Sequence, residues 1–363
     1  MKILFYIGNL KKGGAERVVA TLSNNLINSN DITIITTTDE PVEYELNNKI
    51  NLIPLKDFSD NKNQISKNIF YLKKLNKYIK SIKPDIILGF LPEPSYRLLM
   101  LKPLIKAPII ISDRNDPKVE YKSLKNRVLM KLLYRKASGF VFQTKEAQNY
   151  FSDKIKNKSV VIPNPVDDKF LNTNYTGSES NEFVNVGRLN TQKNQMFLIE
   201  SFQEIIKKYS DYKLLIYGDG ELHSELNDYI KNNKLEKNIK LCGKVDNIED
   251  ILKTKKAFIL SSKYEGMPNA LMEAMSIGIP SISTDCPCGG PRELITNGEN
   301  GLLIENYNKE QLINAIIKII ENDKICDKLS ENAKKTMKKY STDKITKKWL
   351  EFMKEVYKNE KNN

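Results

Sequence analysis

Residues 257–285 read AFILSSKYEGMPNALMEAMSIGIPSISTD. AFILSS (257–262) and PSISTD (280–285) are short apolar runs of strand type, and the stretch between them repeats its apolar residues at helical spacing. A strand, a covering helix and a further strand form the repeating unit of a parallel α/β sheet. Gly266, Pro268 and Asn269 favour a tight turn into the helix, with Asn269 placed to cap it. Around this turn stand two glutamates, Glu265 and Glu273. They read as an acid/base pair for hydrolysis, as two solvated carboxylates, or as two polar groups on one ligand.

The same alternation runs outward in both directions. On the N-terminal side, ILFYI (3–7), DITIITT (31–37), NLIPL (51–55), DIILGF (85–90), PIIIS (108–112), GFVFQT (139–144) and VVIPNPV (160–166) are strands. Helical patterns separate several of them, one over 62–83. LNTNYTGSESN (171–181) is polar, with no apolar period, and reads as a linker. The alternation then restarts with strands at 182–187, 212–220, 239–243 and 301–305. Helices follow at 309–321 and 324–340. A chain of 363 residues exceeds the comfortable size of one core, so two α/β domains of similar size are expected. The boundaries expected are 1–172 and 173–345, with a C-terminal helix over 346–363 that packs back on the first domain. Ligands of such sheets bind in a crevice at the carboxyl ends of the strands, which points to a cleft between the domains.

Composition narrows the classes. Four cysteines, Cys242, Cys286, Cys288 and Cys326, are too few and scattered for a disulfide framework. The lone CxC of Cys286 and Cys288, beside a single histidine, reads as buried thiols rather than zinc ligands. The apolar run in MKILFYIGNLKK is about six residues, far short of the ~20 that a membrane-spanning helix needs. A cytoplasmic or peripheral protein is therefore expected. Charge is divided unevenly: residues 1–170 hold 29 Lys and Arg against 17 Asp and Glu, whereas residues 171–363 hold 29 against 28. Between Lys62 and Lys136 there are 18 basic and 5 acidic residues. Such a field attracts anionic lipid, lipid pyrophosphate or nucleic acid. No nucleic-acid-binding signature accompanies it, so a nucleic-acid partner is not expected.

Two further constellations bear on anions. IGNLKKGGAERVV (7–19) places Gly13 and Gly14 at the start of a helix, where backbone approaches an anion or where a tight turn needs positive φ. It is not the dinucleotide fingerprint. VGRLNTQKNQ (186–195) puts Arg188 and Lys193 just beyond a strand, as two diphosphate-binding cations or two solvated ones. A hydrolase acting on neutral sugar needs no positive helix N-terminus between its carboxylates. A ligand carrying both phosphate and hydroxyl groups uses every part.

GGAER (13–17), GRLNTQKN (187–194), EGMPNALMEAM (265–275) and DCPCGGPRE (285–293) together resemble glycosyltransferase family four, retaining enzymes of GT-B architecture. The match covers nearly the whole chain in order. The resemblance implies two Rossmann-like parallel-sheet domains facing across a cleft, with an N-terminal acceptor domain and a C-terminal nucleotide-sugar domain. It implies that Arg188 and Lys193 hold the donor diphosphate. Glu273 takes the ribose hydroxyls, and Glu265 orients the sugar. Gly266, Met267, Pro268 and Asn269 line the sugar, and the N–H groups of Ala270 and Leu271 meet phosphate. Gly13 and Gly14 close over the diphosphate, while Gly218, Asp219 and Gly220 border the nucleoside. Glu265, Arg188 and Lys193 are the residues implied to carry catalysis. No obligatory metal is implied, and no DxD triplet occurs in the chain.

Many relatives carry a histidine near the segment that reads ISDRNDP (111–117) here, but this chain's single histidine is His223. Asp113, Arg114 and Asn115 are then the candidates for sugar or acceptor contact, with a strand-end cap as the alternative for Asp113. Arg17 is a candidate for acceptor phosphate. Relatives with GGAER starts extend lipid-linked glycans of surface polysaccharides and glycoconjugates. The resemblance therefore implies a UDP-sugar donor, a lipid-linked or oligosaccharide acceptor and a site at the inner face of the cytoplasmic membrane. SYRLLMLKPLI (95–105) reads as a buried helix or an interfacial stretch. A sugar-nucleotide epimerase or hydrolase of the same fold is the alternative activity.

Overall fold

A computed structural model of the protein describes residues 1–56 and 64–362. Its contacts divide the chain into two units, one of Met1–Pro165 with the segment from Thr342 onward, the other of Val166–Ser341. In unit 1 the Ile- and Phe-rich runs form β1 (Lys2–Ile7), β2 (Asp31–Thr36), β3 (Asn51–Pro54), β4 (Ile86–Phe90), β5 (Ile109–Ser112), β6 (Gly139–Phe142) and β7 (Ser159–Val161). All pair in parallel, in the order β3-β2-β1-β4-β5-β6-β7. Central strands are apolar on both faces because helices cover both, and β4 is buried along its whole length. β7 ends at Val161, since Pro163 and Pro165 cannot donate to a ladder. The helix expected over 62–83 runs Gln64–Ile82; residues 62 and 63 lie outside the described residues.

Unit 2 repeats the pattern with β8 (Glu182–Val186), β9 (Lys213–Tyr217), β10 (Ile239–Gly243), β11 (Ala257–Leu260), β12 (Ser281–Asp285) and β13 (Leu302–Glu305). These too are parallel, in the order β10-β9-β8-β11-β12-β13. Each sheet therefore grows in one direction from its first strand and then resumes on that strand's other side. The reversal leaves a topological switch point, between β1 and β4 in unit 1 and between β8 and β11 in unit 2. Diverging loops at the carboxyl ends open a crevice there.

The polar segment 171–181 is not a linker. The chain passes between units at Pro165–Val166, and Val166 N–H already donates to Tyr340 O within unit 2 at 2.9 Å. Beyond it, Thr176 N–H bonds Lys253 O at 2.7 Å, and Tyr175 Oη donates to Lys256 O at 3.0 Å. A Cβ on Gly177 would lie 2.3 Å from Lys255 O. The segment is polar because it satisfies backbone carbonyls at an edge of unit 2.

The last helix, Thr342–Asn362, starts four residues earlier than the sequence suggested and belongs to unit 1. Ile345, Trp349, Met353 and Val356 form its buried face, and Trp349 stacks on Phe90 at 5.7 Å. The 95–105 stretch covers most of the helix Pro92–Leu101 and the 3-10 turn Lys102–Leu104; the helix is largely buried, although its Met100 and the turn's Leu104 are exposed.

Candidate active site

At the switch point of unit 2, the loops after β8 and β11 are stitched together. Lys263 N–H donates to Gln192 O at 2.8 Å, Ser261 Oγ to Lys193 O at 2.9 Å, and Gln192 Nε2 to Tyr264 O at 3.0 Å. The loop after β8 ends at Asn194, whose left-handed backbone (φ 55°) turns the chain into the helix Gln195–Lys208. Lys193 N–H is braced by Asn190 Oδ1 at 3.1 Å. These bonds bring the Lys193 ammonium to within 2.5 Å of Glu265 Oε1, which also accepts from Ser262 Oγ at 2.7 Å. Gln192 Nε2 reaches the other carboxylate oxygen at 3.5 Å. Glu265 is buried, so these donors take the place of water around its carboxylate. Arg188 is exposed and its guanidinium has no hydrogen-bond or ion-pair partner among the described residues. Neither Gln192 nor Ser262 was among the residues singled out from sequence. Their proximity to Lys193 and Glu265 along the chain was the one available signal.

The turn after Glu265 is held from behind by the CPCGGPRE segment. Glu265 N–H donates to Pro287 O at 2.7 Å, and a Cβ on Gly290 would lie 1.8 Å from Gly266 O. Only a glycine lets the two backbones approach that closely. Cys286 and Cys288 are buried in this segment, and burial raises the Cys286 thiol pKa. Among the described residues, no cluster of three or more metal-ligating side chains includes them.

The helix that follows is Asn269–Ile277, ended by Gly278 at φ 94°. Asn269 is its first residue rather than its cap. Pro268 holds the cap position with extended backbone, and its carbonyl accepts the first helical bond, from Met272 N–H at 3.1 Å. The fixed φ of proline suits this entry. Asn269, Ala270 and Leu271 thus supply first-turn N–H groups with no acceptor inside the helix. Glu273 is buried one turn further, on the face above Asn269. Met267 is buried in the turn itself.

Glycines also close the neighbouring wall. Gly218 has φ 138°, and a Cβ there would lie 1.9 Å from Gly187 O; at Gly220 it would lie 2.3 Å from Leu189 O. Asp219 O accepts from Leu189 N–H at 3.0 Å, so the loop after β9 lies directly against the Arg188 loop. His223, exposed, begins the next helix.

The candidates in unit 1 fare differently. Gly13 precedes the helix Gly14–Leu26 with φ −161°, an extended backbone, so positive φ is not what requires glycine there. A Cβ would instead lie 2.2 Å from Glu16 Oε2. Two N–H groups at this turn are bonded within the unit: Lys12 N–H donates to Glu43 Oε2 at 2.6 Å, and Gly13 N–H to Tyr44 Oη at 2.8 Å. Arg17, partly buried, lies one turn into that helix beside Tyr44. Asp113 and Arg114, the candidates for sugar or acceptor contact, are buried within unit 1 and are held by its own side chains. Tyr121 Oη and Tyr134 Oη donate to the two Asp113 carboxylate oxygens at 2.6 and 2.8 Å. Burial pushes this carboxyl up to about 6, against the lowering effect of both hydroxyls. Asp113 directly follows the end of β5, and Asp116 caps the next helix, accepting from Lys118 N–H at 2.9 Å. Arg114 lies over the Trp349 ring at 5.9 Å and bonds Asn164. Asn115 alone is partly exposed, and it donates to Glu120 Oε1 at 2.8 Å.

Comparison with known proteins places this geometry. Residues 12–170 match the family Glycosyltransferase Family 4, and residues 168–336 match Glycosyl transferases group 1. An uncharacterized glycosyltransferase of Methanocaldococcus jannaschii is 30% identical over 329 residues, 76% of this chain and 80% of that one. A Campylobacter jejuni enzyme is 26% identical over 367 residues, 98% of this chain and 99% of its own. Its name is GalNAc-alpha-(1->4)-GalNAc-alpha-(1->3)-diNAcBac-PP-undecaprenol alpha-1,4-N-acetyl-D-galactosaminyltransferase. Among solved structures, Anabaena HepE in complex with UDP and glucose superposes with a TM-score of 0.84 at 19% identity, covering 98% of this chain and 99% of that one. The chain belongs to glycosyltransferase family four: it is a glycosyltransferase of GT-B architecture.

Proposed function

We propose that this glycosyltransferase moves a hexose or N-acetylhexosamine from a UDP-sugar, with retention at the anomeric carbon, onto a lipid-linked glycan. The single observation that carries the donor half is the Lys193–Glu265 pair, set at a sheet switch point beside the first turn of Asn269–Ile277. A nucleotide-sugar offers a diphosphate for the cations, hydroxyl groups for the carboxylates and oxygens for the first-turn N–H groups. On binding, the diphosphate competes with Glu265 for the Lys193 ammonium, and Arg188 adds a second cation. Glu265 then accepts hydrogen bonds from the sugar, and Glu273 from the ribose. The N–H groups of Ala270 and Leu271 meet phosphate.

The bond from the anomeric carbon to the diphosphate breaks as the acceptor oxygen bonds to the same face. The acceptor's proton passes to the departing phosphate oxygen. Catalysis consists of leaving-group stabilisation and positioning by fixed donors. Arg188 and Lys193 supply the charge that a divalent ion supplies elsewhere, so activity should survive chelation by EDTA.

The Campylobacter relative, whose name carries an undecaprenol-linked glycan, supports the lipid-linked acceptor; HepE bound to UDP and glucose supports the donor. A protein acting on such an acceptor works peripherally at the inner face of the cytoplasmic membrane. No helix among the described residues is long and apolar enough to cross one. The test is a thermal-shift and product screen with UDP-, GDP- and ADP-sugars. A UDP-sugar should raise the melting temperature and yield an α-linked product on an undecaprenyl-pyrophosphate glycan. Stoichiometric sugar release from donor alone, with no acceptor product, would refute the transferase reading in favour of hydrolysis.

A further inference from the structure

The helix Leu124–Leu133 carries two apolar faces. Met130 and Leu133 turn inward and are buried. Leu124, Val128 and Leu132 turn outward and are 75%, 45% and 59% exposed. At spacings of four residues they make one line along the helix, about 12 Å long at the rise of an α-helix. By helical angle, Lys125 and Lys131 stand about 60° to either side of that line, and both are exposed. An apolar stripe with a cation on each flank is the pattern of a helix lying in a bilayer interface.

Charge complementarity says what covers the stripe. Residues 121–145 contain seven basic residues and no acidic one. The six between Lys122 and Lys136 are all exposed, and none forms a salt bridge with a carboxylate among the described residues. Elsewhere on the surface lysines are routinely paired, as in Lys11–Glu40, Lys253–Asp250 and Lys335–Glu331. The neighbouring helix Pro92–Leu101 packs against this one through Tyr96 Oη, which donates to Asn126 O at 3.2 Å. Near its end Met100 and Leu104 are exposed too. Isolated exposed apolar side chains need no explanation. A row of three, flanked by unpaired cations, does.

We infer that the outer face of Leu124–Leu133 is the surface by which this protein lies on an anionic bilayer, with Leu124, Val128 and Leu132 inserted between headgroups. The inference rests on the proposal of a membrane-linked acceptor and adds the docking element to it. It also moves the interfacial element from the 95–105 stretch to the helix Leu124–Leu133.

The experiment is flotation of the full chain with vesicles of phosphatidylglycerol and phosphatidylethanolamine, against vesicles of phosphatidylcholine alone. The wild type should float with the anionic vesicles and lose binding as salt rises. The triple variant Leu124→Ser, Val128→Ser, Leu132→Ser should bind at least tenfold more weakly, with its melting temperature within about 2 °C, because these side chains contact little in the fold. Lys125→Glu with Lys131→Glu should weaken binding to a similar degree and serves if the triple variant misfolds. Wild-type flotation with undiminished flotation of both variants overturns the docking face and leaves the peripheral reading intact. Failure of the wild type to bind anionic vesicles overturns both. A change of oligomeric mass in the variants with flotation unchanged identifies the stripe as a self-association face and also overturns the inference.

Discussion

Lys193 and Glu265 follow two different strands, β8 and β11, yet their charged atoms meet at 2.5 Å in a largely buried setting. The lysine side chain is 20% exposed and the glutamate 8%. Removing one member leaves the other's charge without its partner, which for buried pairs costs about 3 kcal/mol or more. Lys193→Ala should therefore destabilise unit 2 as well as abolish efficient transfer. In a denaturation cycle with Glu265→Ala, the double variant should be less destabilised than the two singles summed, by about 1–3 kcal/mol. Strict additivity would show that the contact carries no coupling.

Glu273 lies one turn into Asn269–Ile277, and in the proposed site its carboxylate accepts from ribose. A charged hydrogen bond of this type contributes about 1.5–3 kcal/mol, so Glu273→Ala should weaken UDP binding by about 10- to 100-fold. Titration calorimetry with UDP reads this directly. Glu265→Ala should instead lower turnover more than UDP affinity, because its partners belong to the sugar. Equal effects of both variants on UDP affinity would merge the two roles.

Gly290 and Gly298 make a matched pair of tests. A Cβ at Gly290 would lie 1.8 Å from Gly266 O, whereas at Gly298 (φ 75°) nothing lies within 4 Å. Gly290→Ala should force the turn before Asn269 away from its position and reduce transfer by well over tenfold. Gly298→Ala should cost only backbone strain, about 1–2 kcal/mol, with activity retained. Full activity in Gly290→Ala would mean that the CPCGGPRE segment does not hold the turn.

Asp113 gives a pH signature. Burial raises its pKa to about 6, so in the folded protein it keeps its proton through a window where the unfolded chain has lost it. Between about pH 4 and pH 6 the native state binds more protons, and this group's contribution to stability falls as pH rises. Above and below that window it is constant. The stability of the wild type relative to Asp113→Asn should fall by roughly 3 kcal/mol from pH 4 to pH 7, since about two pKa units are involved. Urea denaturation of both proteins at each pH measures it; parallel pH profiles would refute the assignment.

Much of this fold was legible in the sequence because its signals are local. Strand runs such as DIILGF and AFILSS are apolar on both faces and bounded by turn residues, and the helices between them keep their period. The segment 171–181 misled because polarity marks two different things. It accompanies solvent exposure in a linker, and here it accompanies hydrogen bonding to the carbonyls of 253–256. The surroundings of Asp113 and Arg114 were hidden for a related reason. A polar triplet at a strand end looks displayed, but the rings of Tyr121, Tyr134 and Trp349 that enclose it come from elements further along the chain.

Sequence alone determined the alternation of strands and helices and the family. Those properties depend on side-chain size and hydrophobic period, which each segment carries by itself. Tertiary structure decided which charges meet. Lys193 and Glu265 are 72 residues apart, and only the order β10-β9-β8-β11 sets their strands side by side. It also decided that the outward line of Leu124, Val128 and Leu132 faces solvent while Met130 and Leu133 of the same helix enter the core. A helix with apolar residues on opposite sides does not announce which side is inside; its packing against the helix Pro92–Leu101 makes that choice.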